Sequence, residues 1–214
     1  MARTSTAALL LLLCALGASE GVRGGTTVLR VDPDRTSARF AVAQLGIEKE
    51  HGRLGRTSGT IVMDAEHRVE RIDFEIDTRA VDTGWSLRDA FLRSEVMFNT
   101  DRYPRMHFHS SRVVYEGARL AAVEGNVTLR GITRPVRFDV TRLECATRAE
   151  DGGETCGAEV VGRISRGAFG MDFAYPLIGD DVDLEFVVTA SRARDAEAAK
   201  EETDAKDSKD AKKL

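Results

Sequence analysis

The sequence is short of the residues that build metal and redox sites. Of 214 residues only three are Cys and four are His, and no spacing among them assembles a four-ligand site. No basic stripe runs through it either. Its 31 Lys and Arg are interspersed with 35 Asp and Glu, for a formal net charge of -4, which argues against nucleic acid as a partner. There is no G-x-S-x-G nucleophile elbow. Past the N-terminal region, no apolar run approaches the roughly 20 residues that cross a bilayer.

What is present begins with a leader. Arg3 precedes an unbroken apolar run, Ala7 to Leu16, and small residues follow at Gly17, Ala18 and Ser19. This is the layout of a secretory signal peptide over residues 1–23. Cys14 is a poor lipoprotein cysteine, because the bulky Leu13 stands before it. At the other end, residues 193–214 are almost wholly Ala, Lys, Glu and Asp, with no large apolar side chain before Leu214. Such a segment cannot bury a face, so it reads as a charged tail.

Residues 26–192 therefore carry the fold. Period-two alternation marks strands at Ile72, Phe74 and Ile76, at Val136, Phe138 and Val140, and from Val182 through Leu184, Phe186 and Val188 to Ala190. Weaker alternation marks Ala38, Phe40 and Val42, and Val123, Val127 and Leu129. One apolar side and one charged side per strand is the pattern of an antiparallel sheet with a wet outer face. Turn signals fall at Gly52–Gly59, Ala65–His67, Tyr115–Ala118, Arg130–Arg134 and Ala149–Gly153. Between Thr83 and Ser94 the spacing of Trp85, Leu87, Ala90, Phe91 and Leu92 predicts one short helix. Asp82 or Thr83 is its expected cap, and Asp89 and Arg93 form an expected i,i+4 pair. Roughly eight strands fit either a closed barrel or a sandwich.

With the leader removed, Cys145 and Cys156 remain. In an exported chain such a pair is expected to bond, the alternatives being two free thiols or a reducible pair.

The order of motifs over Val31 to Ala190 resembles the YceI-like proteins, periplasmic lipid-binding barrels of bacteria. The likeness starts at Asp32-Pro33 with Phe40 and Leu45-Gly46-Ile47. It continues through Asp82-Thr83-Gly84, Arg88-Asp89, Leu92-Arg93-Ser94, Phe98-Asn99, Tyr103-Pro104 and Phe108-His109-Ser110. It is densest at Gly125-Asn126-Val127-Thr128-Leu129-Arg130-Gly131-Ile132-Thr133-Arg134-Pro135-Val136, and closes with Arg166, Phe169-Gly170-Met171 and Gly179-Asp180-Asp181-Val182. Arg35, Gln44 and Met97 depart from the family's usual residues, and the Cys145–Cys156 pair is not general in it.

The resemblance implies an all-β fold, an eight-stranded antiparallel lipocalin-like barrel with one short helical insertion, around a long cavity. It implies a non-catalytic periplasmic carrier or sequestering protein for a long apolar lipid, an isoprenoid foremost, with no other cofactor. The expected tunnel residues are Phe40, Val42, Phe74, Phe108, Phe138 and Phe186, with Trp85, Phe91, Met97 and Phe98 closing it from the insertion. Each is equally an ordinary core residue by pattern alone. Arg88, Arg93 and Arg166 are the head-group candidates, against plain surface pairing. A protein-interaction role in envelope stress, with lipid as filler, is the alternative function. A homodimer through an exposed face is left open.

His107 and His109 share one face of a strand, without an evident third metal ligand, and read as solvent-facing. Ser110, His109 and an Asp are the residues a hydrolytic triad would have to use. His51 and His67 read as loop residues. The Asn126-Val127-Thr128 sequon reads as coincidence in a strand.

Overall fold

The computed structural model describes residues 26–46, 48–147 and 153–192. The leader and the charged tail read from the sequence lie outside the described residues, as does most of the Ala149–Gly153 turn.

Ten strand segments form one antiparallel sheet that closes on itself: β1 (Thr27–Val31), β2 (Ser37–Gln44), β3 (Glu48–Arg53), β4 (Thr57–Met63), β5 (Val69–Asp77), β6 (Arg105–Glu116), β7 (Arg119–Leu129), β8 (Ile132–Thr147), β9 (Glu154–Ser165) and β10 (Ile178–Arg192). β1 and β2 both lie along β10, and β4 and β3 both lie along them in turn. The two short pairs are therefore two interrupted staves, and the barrel has eight. The ring is sealed where Val31 pairs with Ala190 and Leu29 with Arg192, which settles barrel against sandwich. Closure leaves the eight staves without a free edge along this seam.

Alternation sets which side chains face in. Ile76, Phe138, Val140, Leu184, Phe186 and Val188 are buried, while their neighbours Glu75, Arg137, Asp139 and Asp183 sit outside in ion pairs such as Arg137–Glu124 at 2.9 Å. The Gly52–Gly59 stretch is not a hairpin turn. β3 runs through Gly52, and the chain only kinks at Leu54–Arg56 before resuming as β4. The kink is tight because the backbone carbonyl of Asp77 lies where a Cβ of Gly55 would be. His51, read as a loop residue, is thereby on β3 opposite Ala41; His67 does lie in the β4–β5 turn.

The one α-helix among the described residues, α1 (Ser86–Arg93), belongs to an insertion between β5 and β6 that takes the place beside β3 where β5 has ended. Arg53 and Asp82 bridge the two. Neither Asp82 nor Thr83 caps the helix: Trp85 occupies the cap position in extended conformation. Nor does Asp89 pair with Arg93. Helical side chains lean toward the N-terminus, and the Asp89 carboxylate reaches back to accept the Thr83 N–H at 2.8 Å and hydroxyl at 2.6 Å. The insertion is fastened at its other end by the β7–β8 turn, where Arg130 donates to the Met97 carbonyl. Gly131, at φ 73°, lies under the Tyr103 ring.

Cys145 and Cys156 face each other across β8 and β9 and are joined as a disulfide. It cross-links strands near the end of the barrel opposite α1. Titration of the denatured, unreduced full chain should find one free thiol, Cys14, among its three cysteines. Replacing both Cys145 and Cys156 by Ser should lower unfolding free energy by about 2–3 kcal/mol on the loop-entropy account, read from denaturant midpoints; three free thiols would show that the bond does not form.

A two-chambered apolar cavity as the candidate site

The barrel is hollow, and its lumen has two parts. An inner chamber of about 80 Å³ is lined by Phe74, Phe108, Phe138 and Phe186 together with aliphatic side chains such as Ile72 and Val160. An outer chamber of about 250 Å³ lies under the insertion and includes Phe40, Val42, Trp85, Phe91, Met97 and Phe98 in its wall. Met106 and Leu184 line both and form a waist between them. All ten tunnel residues expected from the sequence thus stand on a cavity wall. Met106 and Leu184 were not in that expectation, although Leu184 belongs to an alternating strand.

Cross-strand glycines keep this space open. Phe40 pairs with Gly52, Phe74 with Gly59 and Phe138 with Gly162, and Phe108 lies beside Gly125 on the next strand. A Cβ at any of the four glycines would come within 3.0 Å of the ring. The absent side chain lets each ring lie flat on the neighbouring strand instead of projecting into the lumen. Phe108, Phe138 and Phe186 then meet edge to face, with centroids 5.4 and 5.6 Å apart, a favoured aromatic geometry. No single-strand pattern reveals these pairs, because they exist only once the register is known.

Polar groups are confined to the outer chamber. Arg88 pairs with Glu50 on β3, donates to the Thr83 hydroxyl at 2.9 Å and carbonyl at 3.1 Å, and lies 5.7 Å from the Trp85 ring centroid. Arg166 is buried and lines the same chamber. Its guanidinium donates to the carbonyls of Gly179 at 2.7 Å, Ile178 at 2.8 Å and Met171. These bonds fasten both ends of the segment that links β9 to β10 over the mouth. Arg93, at the end of α1, lines neither chamber.

His107 and His109 face outward on β6, beside Glu75 at 3.5 Å and Asp73 respectively. Ser110 points the other way, is buried, and its hydroxyl accepts the Ile72 N–H at 2.8 Å. Adjacent strand residues face opposite sides, so Ser110 and His109 cannot act together.

The geometry defines a class first: a closed antiparallel barrel enclosing an apolar cavity with a polar fringe at one end, the layout of small-molecule binding barrels. The profile of the YceI-like domain matches residues 29–190, and the chain belongs to that family. It is 30% identical over 148 residues to protein YceI of Escherichia coli O157:H7, covering 68% of this chain and 75% of that one. Among solved structures it is similar in fold to BcnA of Burkholderia cenocepacia, with TM-score 0.61 at 20% identity over 74% of this chain and 98% of that one. A polyisoprenoid binding domain from Saccharophagus degradans superposes with TM-score 0.55 at 17% identity, over 78% and 99%.

Acid should loosen the mouth. The Ser165 hydroxyl, the Gly167 N–H and nearby Arg166 hold the Asp180 carboxyl below its ordinary value of 3.8, and Asp180 ties β10 to the 167–169 turn, with its Oδ1 2.7 Å from the Gly167 nitrogen. A depressed folded-state pKa means the contribution is present above the unfolded value and lost as pH falls through the folded one. Protection factors of residues 167–178 against hydrogen exchange should therefore fall below about pH 4, and Asp180→Asn should show lower protection than the parent at neutral pH and converge with it in acid. An exchange rate in that variant equal to the parent's at neutral pH would contradict the assignment.

Proposed function

We propose that the protein is an exported, periplasmic carrier or sequestering protein for a long-chain apolar lipid, with a polyisoprenoid as the favoured ligand class, and that it acts by binding rather than by catalysis. The observation that carries this reading is the hollow barrel itself. Four inward phenylalanines lie against glycines, leaving a lumen whose inner chamber is walled by apolar side chains. Burial of each methylene of a ligand contributes about 0.8 kcal/mol, so a branched hydrocarbon tail threaded past Met106 and Leu184 needs no polar contact to bind. Its polar end would rest in the outer chamber near Arg88, Glu50 and Thr83. Family membership, the leader layout at residues 1–23 and the S. degradans domain support the same reading.

Native mass spectrometry of protein purified from its own host, without detergent, should show a co-purifying lipid of prenyl type. Gly162→Ala pushes the Phe138 ring into the inner chamber and should shorten the longest prenol taken up, at a stability cost of about 1–3 kcal/mol for overpacking. Empty protein that also fails to take up prenols of any length would overturn the proposal.

A further inference from the structure

The two ends of the barrel differ in chemistry. At the end opposite α1, the β4–β5 turn reads Asp64-Ala65-Glu66-His67-Arg68 and the β6–β7 turn Glu116-Gly117-Ala118-Arg119. At the α1 end, in a chain that is 31% charged, three neighbouring segments carry no charge: Gln44-Leu45-Gly46, Thr83-Gly84-Trp85-Ser86-Leu87, and Phe173-Ala174-Tyr175-Pro176-Leu177-Ile178. They meet in space. The Leu45 N–H donates to the Leu177 carbonyl at 2.8 Å, and Phe173 packs edge-on against Phe91 of α1 at 4.9 Å.

Their large side chains point outward. Leu45, Trp85, Leu87, Phe173, Tyr175 and Leu177 range from 49% exposed at Phe173 to 67% at Leu87. The other large hydrophobics left exposed among the described residues are Val and Leu at scattered positions. A contiguous apolar patch of this kind marks a contact surface. It is continuous with the cavity, since Gln44, Trp85, Phe91 and Ile178 line the outer chamber directly beneath it.

We infer that this rim docks on the surface of a lipid bilayer. The inference rests on the lipid-carrier reading and names the donor or acceptor of the cargo. An apolar tail crossing open water exposes each of its methylenes to solvent at a free-energy cost. A mouth seated in the headgroup region removes that crossing. Trp and Tyr with aliphatic neighbours are the residues that settle at a membrane interface, and the Arg88 guanidinium near Trp85 is paired with Glu50, whereas the outer barrel wall is covered in exposed ion pairs. Both ends of the described chain, Thr26 and Arg192, lie at the opposite end of the barrel, where β1 pairs with β4 at Met63 and β10 with β9 at Thr155.

Trp85 is the only tryptophan and reports on the rim directly. Protein from its own host should show a blue-shifted Trp85 emission on mixing with phosphatidylethanolamine–phosphatidylglycerol vesicles, quenched when their acyl chains are brominated. The variant Leu87→Ser with Leu177→Ser, neither residue lining the cavity, should lower vesicle partition in flotation by about tenfold or more, about 1.4 kcal/mol, and leave uptake of detergent-dispersed geranylgeraniol unchanged. Equal partition of variant and parent overturns the inference. So does self-association of the parent that the same substitutions abolish without any vesicle binding, which assigns the rim to a second copy of the chain. Vesicle docking that persists in protein unable to take up prenol supports the rim and sinks the carrier function instead.

Discussion

The fit of a phenylalanine ring over a bare glycine on the next strand is what the rest of this molecule depends on. Eight staves enclose a lumen scarcely wider than the side chains that point into it, and a barrel of this size fills itself unless something holds those side chains aside. Here Phe40, Phe74, Phe108 and Phe138 are held against the wall by Gly52, Gly59, Gly125 and Gly162. The sheet thus presents aromatic surface to the cavity while keeping the space that surface encloses. The cost is local, since glycine in a strand forfeits packing and backbone entropy, and the ring covering it restores part of the lost burial.

A hollow core also leaves the open end to be stabilised without a packed interior beneath it, and polar bonds do that work. Arg166, just past β9, holds the carbonyl of Met171 within the β9–β10 connection and those of Ile178 and Gly179 at the start of β10. Arg130 and Gly131 hold the insertion from below, and Arg88 with Glu50 ties it to β3. A buried guanidinium is tolerated because its donors are satisfied. Arg88 and Arg166 are therefore occupied by the protein's own groups, so each would meet a ligand's polar end only as an already paired group.

The fold was legible from the sequence to the extent that it is local. Ile72, Phe74 and Ile76 alternate because β5 has one wet side, and the strand follows. The choice between barrel and sandwich was not legible, because it turns on Val31 meeting Ala190 across most of the chain. The helix was legible from the spacing of Leu87, Phe91 and Leu92, but the partner of Asp89 was not: Arg93 and Thr83 are both within its reach, and only the folded insertion brings Thr83 close. The cavity-wall residues could be named from alternation. That they leave a cavity could not, because Phe138 and Gly162 are 24 residues apart and become neighbours only through the β8–β9 register.

The division of labour between the two ends follows from the topology. In an up-and-down barrel successive connections alternate between ends, so each end can evolve its own chemistry without disturbing the wall. The end where β1 starts and β10 finishes has charged turns and the disulfide, and the inner chamber behind it is lined by Val69, Leu120 and Val188. The other end carries the helical insertion, the 167–169 turn and the uncharged loops. Irregular backbone is where side-chain placement is least bound by the strand period. The apolar cavity, its polar fringe and its apolar rim accordingly lie in series from that end inward, so on the proposed function a lipid tail would meet greasy surface, then a few polar groups, then an apolar lumen.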